Sequence, residues 1–227
     1  MPFPGLEQRV ADVRGRIAEG VRRGGYGQSV RIIAVTKTYG PEAAEAAYAG
    51  GLTDVGENRV QEALEKMPLV SAAVAWHLIG HLQRNKVRHL EQFAMLHSMD
   101  SPRLADAVDA DGRTRTRRHR VLVQVNASGE TSKGGFEVSM LASEADRLIA
   151  LRGLEVAGVM TMAPFDAGEQ ILRATFAGAR VAREILVAAG HPATELSMGM
   201  SNDFEVAVEE GATIVRLGTL LFGARAQ

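Results

Sequence analysis

The chain is 227 residues long, with 46% hydrophobic and 23% charged residues, a balance that excludes a disordered segment and predicts a packed core. A formal net charge of −1 offers no general field for a polyanion, so nucleic acid is not an expected partner. The lack of cysteine excludes disulfides, thiolate metal sites and cysteine nucleophiles. No apolar run approaches membrane-spanning length, and the start MPFPGLEQRV lacks the basic and apolar stretches of an export signal, so the expectation is a cytoplasmic protein without membrane contact.

Leu6, Val10, Val13, Ile17 and Val21 recur at spacings of three and four, which predicts an amphipathic helix stopped by Gly24 and Gly25. Eight short apolar, β-branched runs follow and predict strands over 30–36, 53–55, 76–79, 95–98, 120–125, 154–162, 195–198 and 213–217. Helical segments alternate with them, among them PEAAEAAYAG, VQEALEKM, SPRLADAVDA, SMLASEADRLIAL, EQILRATFAGARVAREILVAAG and NDFEVAVEEG. Ser101 and Pro102 form a start signal, while Gly190 and Gly211 stand where helices stop. Nearly all-apolar strands, each followed by a helix, belong in a parallel sheet, and eight such units favour closure. The predicted fold is a single-domain (β/α)8 TIM barrel over 1–227 with an extra N-terminal helix. The run RTRTRRHR, residues 113–120, reads as a solvated loop, since no aromatic residue interleaves its charges.

Barrel chemistry sits at the carboxyl ends of the strands, with phosphate commonly held after strands seven and eight. Four lysines could supply an amine: Lys37, Lys66, Lys86 and Lys133. Lys66 lies in a predicted helix beside Glu62 and Glu65, Lys86 opens a helix, and Lys133 lies in the loop NASGETSKGGF. Only Lys37 abuts a buried strand end, where loss of water lowers an amine's pKa and favours attack on a carbonyl. After strand seven, MGMSNDFE offers Ser201 and an apparent capping box from Asn202 to Glu205. After strand eight, RLGTLLFG offers Gly218 and Thr219. The joint reading is a phosphorylated carbonyl compound bound as an imine to Lys37. Arg216, on an otherwise apolar strand, either faces the helical shell with a carboxylate or serves a ligand. His77 and His81 have the spacing of helical zinc ligands, but in a strand they stand roughly 13 Å apart and are not expected to share a metal.

The motifs AVTKTYG, VGENRVQEALEK, WHLIGHLQRNKVR, VLVQVN with SKGGF, GVMTM, ELSMGMSNDFEVAVEEGATIVRLGT and LFGAR together resemble the pyridoxal phosphate homeostasis protein family, small relatives of the alanine racemase N-terminal barrel. The resemblance implies pyridoxal 5′-phosphate (PLP) as a Schiff base on Lys37. It implies phosphate contacts from Ser201, Thr219 and the Gly218 backbone, Arg216 facing the pyridine nitrogen, and Asn58, Met200 and His81 beside the cofactor. Arg59 departs from the family pattern, in which an aromatic residue often follows the asparagine. An arginine at the pyridine nitrogen leaves the ring a poor electron sink. The racemases' second base, a tyrosine from a further domain, is not expected in a chain that ends soon after strand eight. The expectation is therefore a monomer without robust catalysis, acting in vitamin B6 and amino-acid homeostasis, with PLP-dependent apoenzymes as possible recipients and no catalytic residue or metal assigned. A slow racemase-like PLP enzyme and a Schiff-base aldolase are the alternatives.

Overall fold

The computed structural model of the protein describes residues 2–128 and 134–223. Lys133 lies outside the described residues.

The amphipathic stripe near the start forms α1 (Leu6–Gly24), which buries Leu6, Val10, Val13 and Ile17 and is closed by Gly25 at φ 74°. The left-handed φ at that position suits glycine, so the stop predicted from sequence is also the observed one. The strands then follow: β1 (Arg31–Val35), β2 (Asp54–Glu57), β3 (Ala75–Leu78), β4 (Met95–Met99) and β5 (His119–Asn126). After the two-residue β6 (Phe136–Glu137) come β7 (Leu154–Met160), β8 (Glu195–Ser197) and β9 (Ile214–Leu217). Their order is β4-β3-β2-β1-β9-β8-β7-β5, all parallel, and β4 pairs with β5, so the sheet closes. The short β6 pairs only with β5. Eight barrel strands alternate with α2 (Glu42–Ala49), α3 (Val60–Lys66), α4 (Pro102–Thr114), α5 (Leu141–Ile149), α6 (Glu169–Ala188), α7 (Phe204–Glu209) and α8 (Thr219–Phe222). A 3-10 helix over Arg84–Gln92 takes the helical place after β3. The architecture is the (β/α)8 barrel expected from the sequence.

Strand alternation divides the core in two. Ile33, Met95, Leu122, Ala157, Met160 and Ile214 fill the barrel interior as one buried cluster. The opposite strand faces, including Ile32, Ala34, Val55, Val121, Val159 and Val215, pack with helix residues such as Ala47, Ala105, Phe176 and Val208 in a second cluster. Hydrophobic burial on both faces explains why the strands read as unbroken apolar runs. Among the described residues, no helix is long and apolar enough to cross a membrane.

One expectation differs from the observed structure. The helix after β8 begins at Phe204 with Asp203 at its N-cap, not with a capping box from Asn202 to Glu205. The loop turns one residue later, so Asp203 accepts the Met200 N–H and Glu205 instead pairs with Arg16 and Arg23 of α1. Lys66 lies in α3 with Glu62 beside it, as expected; the structure adds that it is buried, its side chain running under the end of β1.

Candidate functional site

Ile33, Val35 and Lys37 fall on one side of the chain by period two, and Lys37 is half-buried just beyond β1. The turn that carries it is fastened on both flanks. The Lys66 ammonium donates to the Thr36 carbonyl at 2.9 Å, to Glu57 at 2.9 Å and to Glu62 at 2.7 Å. The Thr36 hydroxyl donates to Glu57 at 2.6 Å, and the Thr38 N–H donates to Glu62. Thr38 has φ 68°, an uncommon conformation for a β-branched residue, so the surrounding bonds hold a strained backbone next to the amine. Burial pushes the Glu57 carboxyl above its ordinary pKa, with the Thr36 and Lys66 hydrogen bonds opposing the shift. At Glu62 burial is outweighed by Lys66 and the Thr38 N–H, and the pKa falls.

Lys37 opens into a cavity of about 960 Å³ at the carboxyl ends of the strands. Lys37, Asn58, His81, Met200, Ser201, Arg216, Gly218 and Thr219 all line it, so the structure brings every residue expected beside the cofactor to one place. The far wall is made by the loops after β8 and β9. Gly199 adopts φ 91°, and a Cβ there would stand 2.7 Å from the Ala207 Cβ, so only glycine lets the Met200–Ser201 turn form. The Ser201 hydroxyl accepts the Leu220 N–H at 3.3 Å, tying one loop to the start of α8. Gly218 is different. Its φ is −116°, and a Cβ would meet Val35 only at an ordinary 3.5 Å, so packing within the protein does not require glycine. Gly218 itself lines the cavity, so its bare backbone forms a cradle in that wall.

At the mouth, His81 Nδ1 lies 2.8 Å from Asp100. A Cβ on Gly80 would strike the Asn58 carbonyl at 2.3 Å, so the bare glycine lets Asn58 stay at the rim. Met162, Phe165 and Met200 leave apolar surface exposed around the opening. Asp203 also lines the wall; burial raises its carboxyl pKa against the Met200 N–H and the charge of Arg216.

Arg216 pairs in register with Ile33 and therefore points into the barrel, which decides between the two orientations left open by the sequence. It donates to Ser197 Oγ at 2.7 Å and to the Thr161 carbonyl at 3.0 Å. Burial lowers its pKa to about 10, Asp203 opposing, so the guanidinium stays charged at neutral pH. His77 lies deep in the barrel against His97 and Asp54, while His81 sits at the mouth. Among the described residues no group of three or more His, Cys, Asp or Glu side chains could hold a metal.

Sequence reasoning missed Glu57, Gln124, Asp100 and Asp203. Glu57 stood inside a quoted motif, yet nothing local announces that its partner is Lys66, reached only when α3 folds back across β1 and β2.

The sequence matches the profile described as "Alanine racemase, N-terminal domain" over residues 18–226. It is 40% identical to the pyridoxal phosphate homeostasis protein of Aquifex aeolicus, covering 96% of this chain and 97% of that one. The like-named protein of Pseudomonas aeruginosa is 38% identical, with 97% and 96% covered. The fold is similar to PipY of Synechococcus elongatus PCC7942, solved with PLP bound: TM-score 0.85, 36% identity, 96% of this chain and 100% of that chain covered. Alanine racemase from Corynebacterium glutamicum shares the fold at TM-score 0.73 and 17% identity, with 94% of this chain and 62% of that one covered. With an amine, a cradle and a buried arginine converging in one barrel mouth, and near full-length relatives at this identity, the chain belongs to the pyridoxal phosphate homeostasis protein family.

Proposed function

We propose that this single-domain barrel binds PLP as a Schiff base on Lys37 and serves intracellular vitamin B6 and amino-acid homeostasis as a cytoplasmic monomer, without robust catalysis. The observation that carries the reading is the shared cavity: the Lys37 amine stands at one wall, and Ser201, Gly218 and Thr219 stand together at another. Near full-length similarity to PipY with PLP bound supports it. When bound, PLP supplies an aldehyde for an amine and a ring able to draw electrons.

The chain's own residues divide the work. Lys37 provides the nucleophile, its turn fixed by Lys66 and Glu62. The hydroxyls of Ser201 and Thr219 and the bare backbone of Gly218 suit a phosphate's oxygens. Asn58, Met200 and His81 line the sides of the cofactor. Arg216 donates hydrogen bonds but does not release its proton, so a ring nitrogen facing it stays unprotonated and draws electrons weakly. This favours storage and delivery, with PLP-dependent apoenzymes as recipients, over carbanion chemistry.

The test is borohydride reduction of PLP-loaded protein followed by peptide mapping. The label is expected on Lys37 and lost in Lys37→Ala, while Ser201→Ala and Thr219→Val should retain the cofactor less well. Label on another lysine would overturn the assignment. Sustained α-hydrogen exchange of amino acids in deuterated water, at turnover rates, would replace the homeostasis reading with that of a racemase-like enzyme.

A further inference from the structure

Beneath the cavity the barrel interior is not wholly apolar. From Arg216 an unbroken series of polar contacts crosses the barrel toward its amino-terminal mouth. Arg216 Nη1 donates to Ser197 Oγ at 2.7 Å, and Ser197 Oγ lies 2.9 Å from His97 Nδ1. His97 Nε2 lies 3.0 Å from His77 Nδ1, and His77 Nε2 lies 3.0 Å from Asp54 Oδ1. His77, His97, Ser197 and Arg216 are all buried. Asp54 lines a second cavity at the opposite end, between α1 and the starts of β1 and β2.

The chemistry of the two ends fixes the direction of every bond. A guanidinium only donates and a carboxylate only accepts. Ser197 Oγ already accepts from Arg216, so its one hydrogen goes to His97 Nδ1. His97 then carries its hydrogen on Nε2 and gives it to His77 Nδ1, and His77 carries its hydrogen on Nε2 and gives it to Asp54. Each hydrogen is used once, and both imidazoles are neutral. Reversed, a neutral His77 would turn a bare Nε2 toward a carboxylate, and the Ser197 hydrogen would be left without this acceptor. A reversed chain needs an added proton on His77. Burial, with the charges of Arg216 and Arg31, holds the His97 pKa well below its ordinary value. The Asp54 carboxyl is lowered despite burial, by hydrogen bonds from His77 and Thr53 and the charge of Arg31. Other charges at the two ends include Glu195, 3.5 Å from Arg31, and Arg14 at the Asp54 end, and Asp203, which faces Arg216, with Lys37 and Asp100 at the cavity end.

We propose that Ser197, His97, His77 and Asp54 are positioning residues for Arg216, forming a one-way hydrogen-bond chain that pins the guanidinium against the cavity and ties its charge to a carboxylate at the opposite mouth. The claim that Arg216 thereby tunes a bound ring rests on the proposed PLP site; the direction of the chain does not. Ser197 does not line the cavity, so its effect on a ligand must pass through Arg216.

The first test reads the chain alone. In apo-protein with 15N-labelled histidine at pH 8, two-bond proton–nitrogen correlation is expected to show His77 and His97 as neutral Nε2–H tautomers. An Nδ1–H tautomer or an imidazolium at either residue overturns the chain. The second test reads its consequence. Ser197→Ala is expected to weaken PLP retention roughly tenfold, the loss of one hydrogen bond to a charged group, and to shift the absorption band of bound PLP. Ser197→Thr, which keeps the hydroxyl, is expected to restore both. Unchanged retention and band in Ser197→Ala overturn the positioning role. Wild-type protein that takes up no PLP defeats the proposed function instead, and the tautomers still decide the chain.

Discussion

Replacing Lys66 by methionine tests whether the turn carrying Lys37 depends on a buried ion pair. The lysine side chain is 9% exposed and Glu57 0%, and the three N–H groups of the ammonium go to the Thr36 carbonyl, Glu57 and Glu62. Methionine fills most of the volume but returns none of those bonds. Glu57 is left with the Thr36 hydroxyl alone, in a site where burial already opposes its charge. Removing one member of such a pair costs about 3–5 kcal/mol, or roughly 6–20 °C in Tm for a chain of this size. Urea unfolding at pH 7 followed by circular dichroism should show a lower midpoint with an unchanged m-value. Adding Glu57→Gln to Lys66→Met removes the stranded charge and should recover about 0.5–3 kcal/mol, the range for directly coupled residues. A loss below about 1 kcal/mol in Lys66→Met, the range of solvent-exposed pairs, would refute the reasoning, because Glu57 would then be neutral or hydrated despite its burial.

Stability should fall with acidification through His97. Its folded pKa is depressed, so below the ordinary value of 6.5 the unfolded chain takes up a proton that the folded one refuses. The contribution is complete above pH 7 and is lost as pH drops below 6.5, at up to about 1.4 kcal/mol per pH unit. His97→Gln should flatten urea midpoints measured between pH 7 and pH 5.5; parallel profiles for the two proteins would count against a buried neutral imidazole. The two glycines of the far wall should separate fold from ligand. Gly199→Ala, at φ 91° and with a Cβ 2.7 Å from Ala207, should destabilise by about 2 kcal/mol or more. Gly218→Ala should hold stability within about 1 kcal/mol yet reduce PLP retention; equal retention would show that the cradle does not face the phosphate.

Much of the molecule was legible from local pattern. A strand buried on both faces has no choice but to be apolar throughout, so the barrel strands stand out as short β-branched runs, and each observed barrel strand overlaps a predicted one. Gly25 and Gly211 mark helix ends because the chain there turns through positive φ, which a side chain resists. Lys37, Ser201, Gly218 and Thr219 were recoverable because they follow strand ends, and in a parallel barrel strand ends share one face. The two-residue β6 and the four-residue α8 were not, since neither is long enough to impose a period.

Local pattern therefore settled the list of elements and the face on which their ends meet. Which way Arg216 points, whether Lys66 is surface or core, and that Asp54, His77, His97 and Ser197 form one series were decided only by closure of the barrel. Those contacts reach residues as much as 100 positions apart. Their physical cause lies in strand register and helix docking: a polar side chain on an apolar strand carries no local mark of its partner, and the partner is set by which neighbour the closed sheet places across the interior.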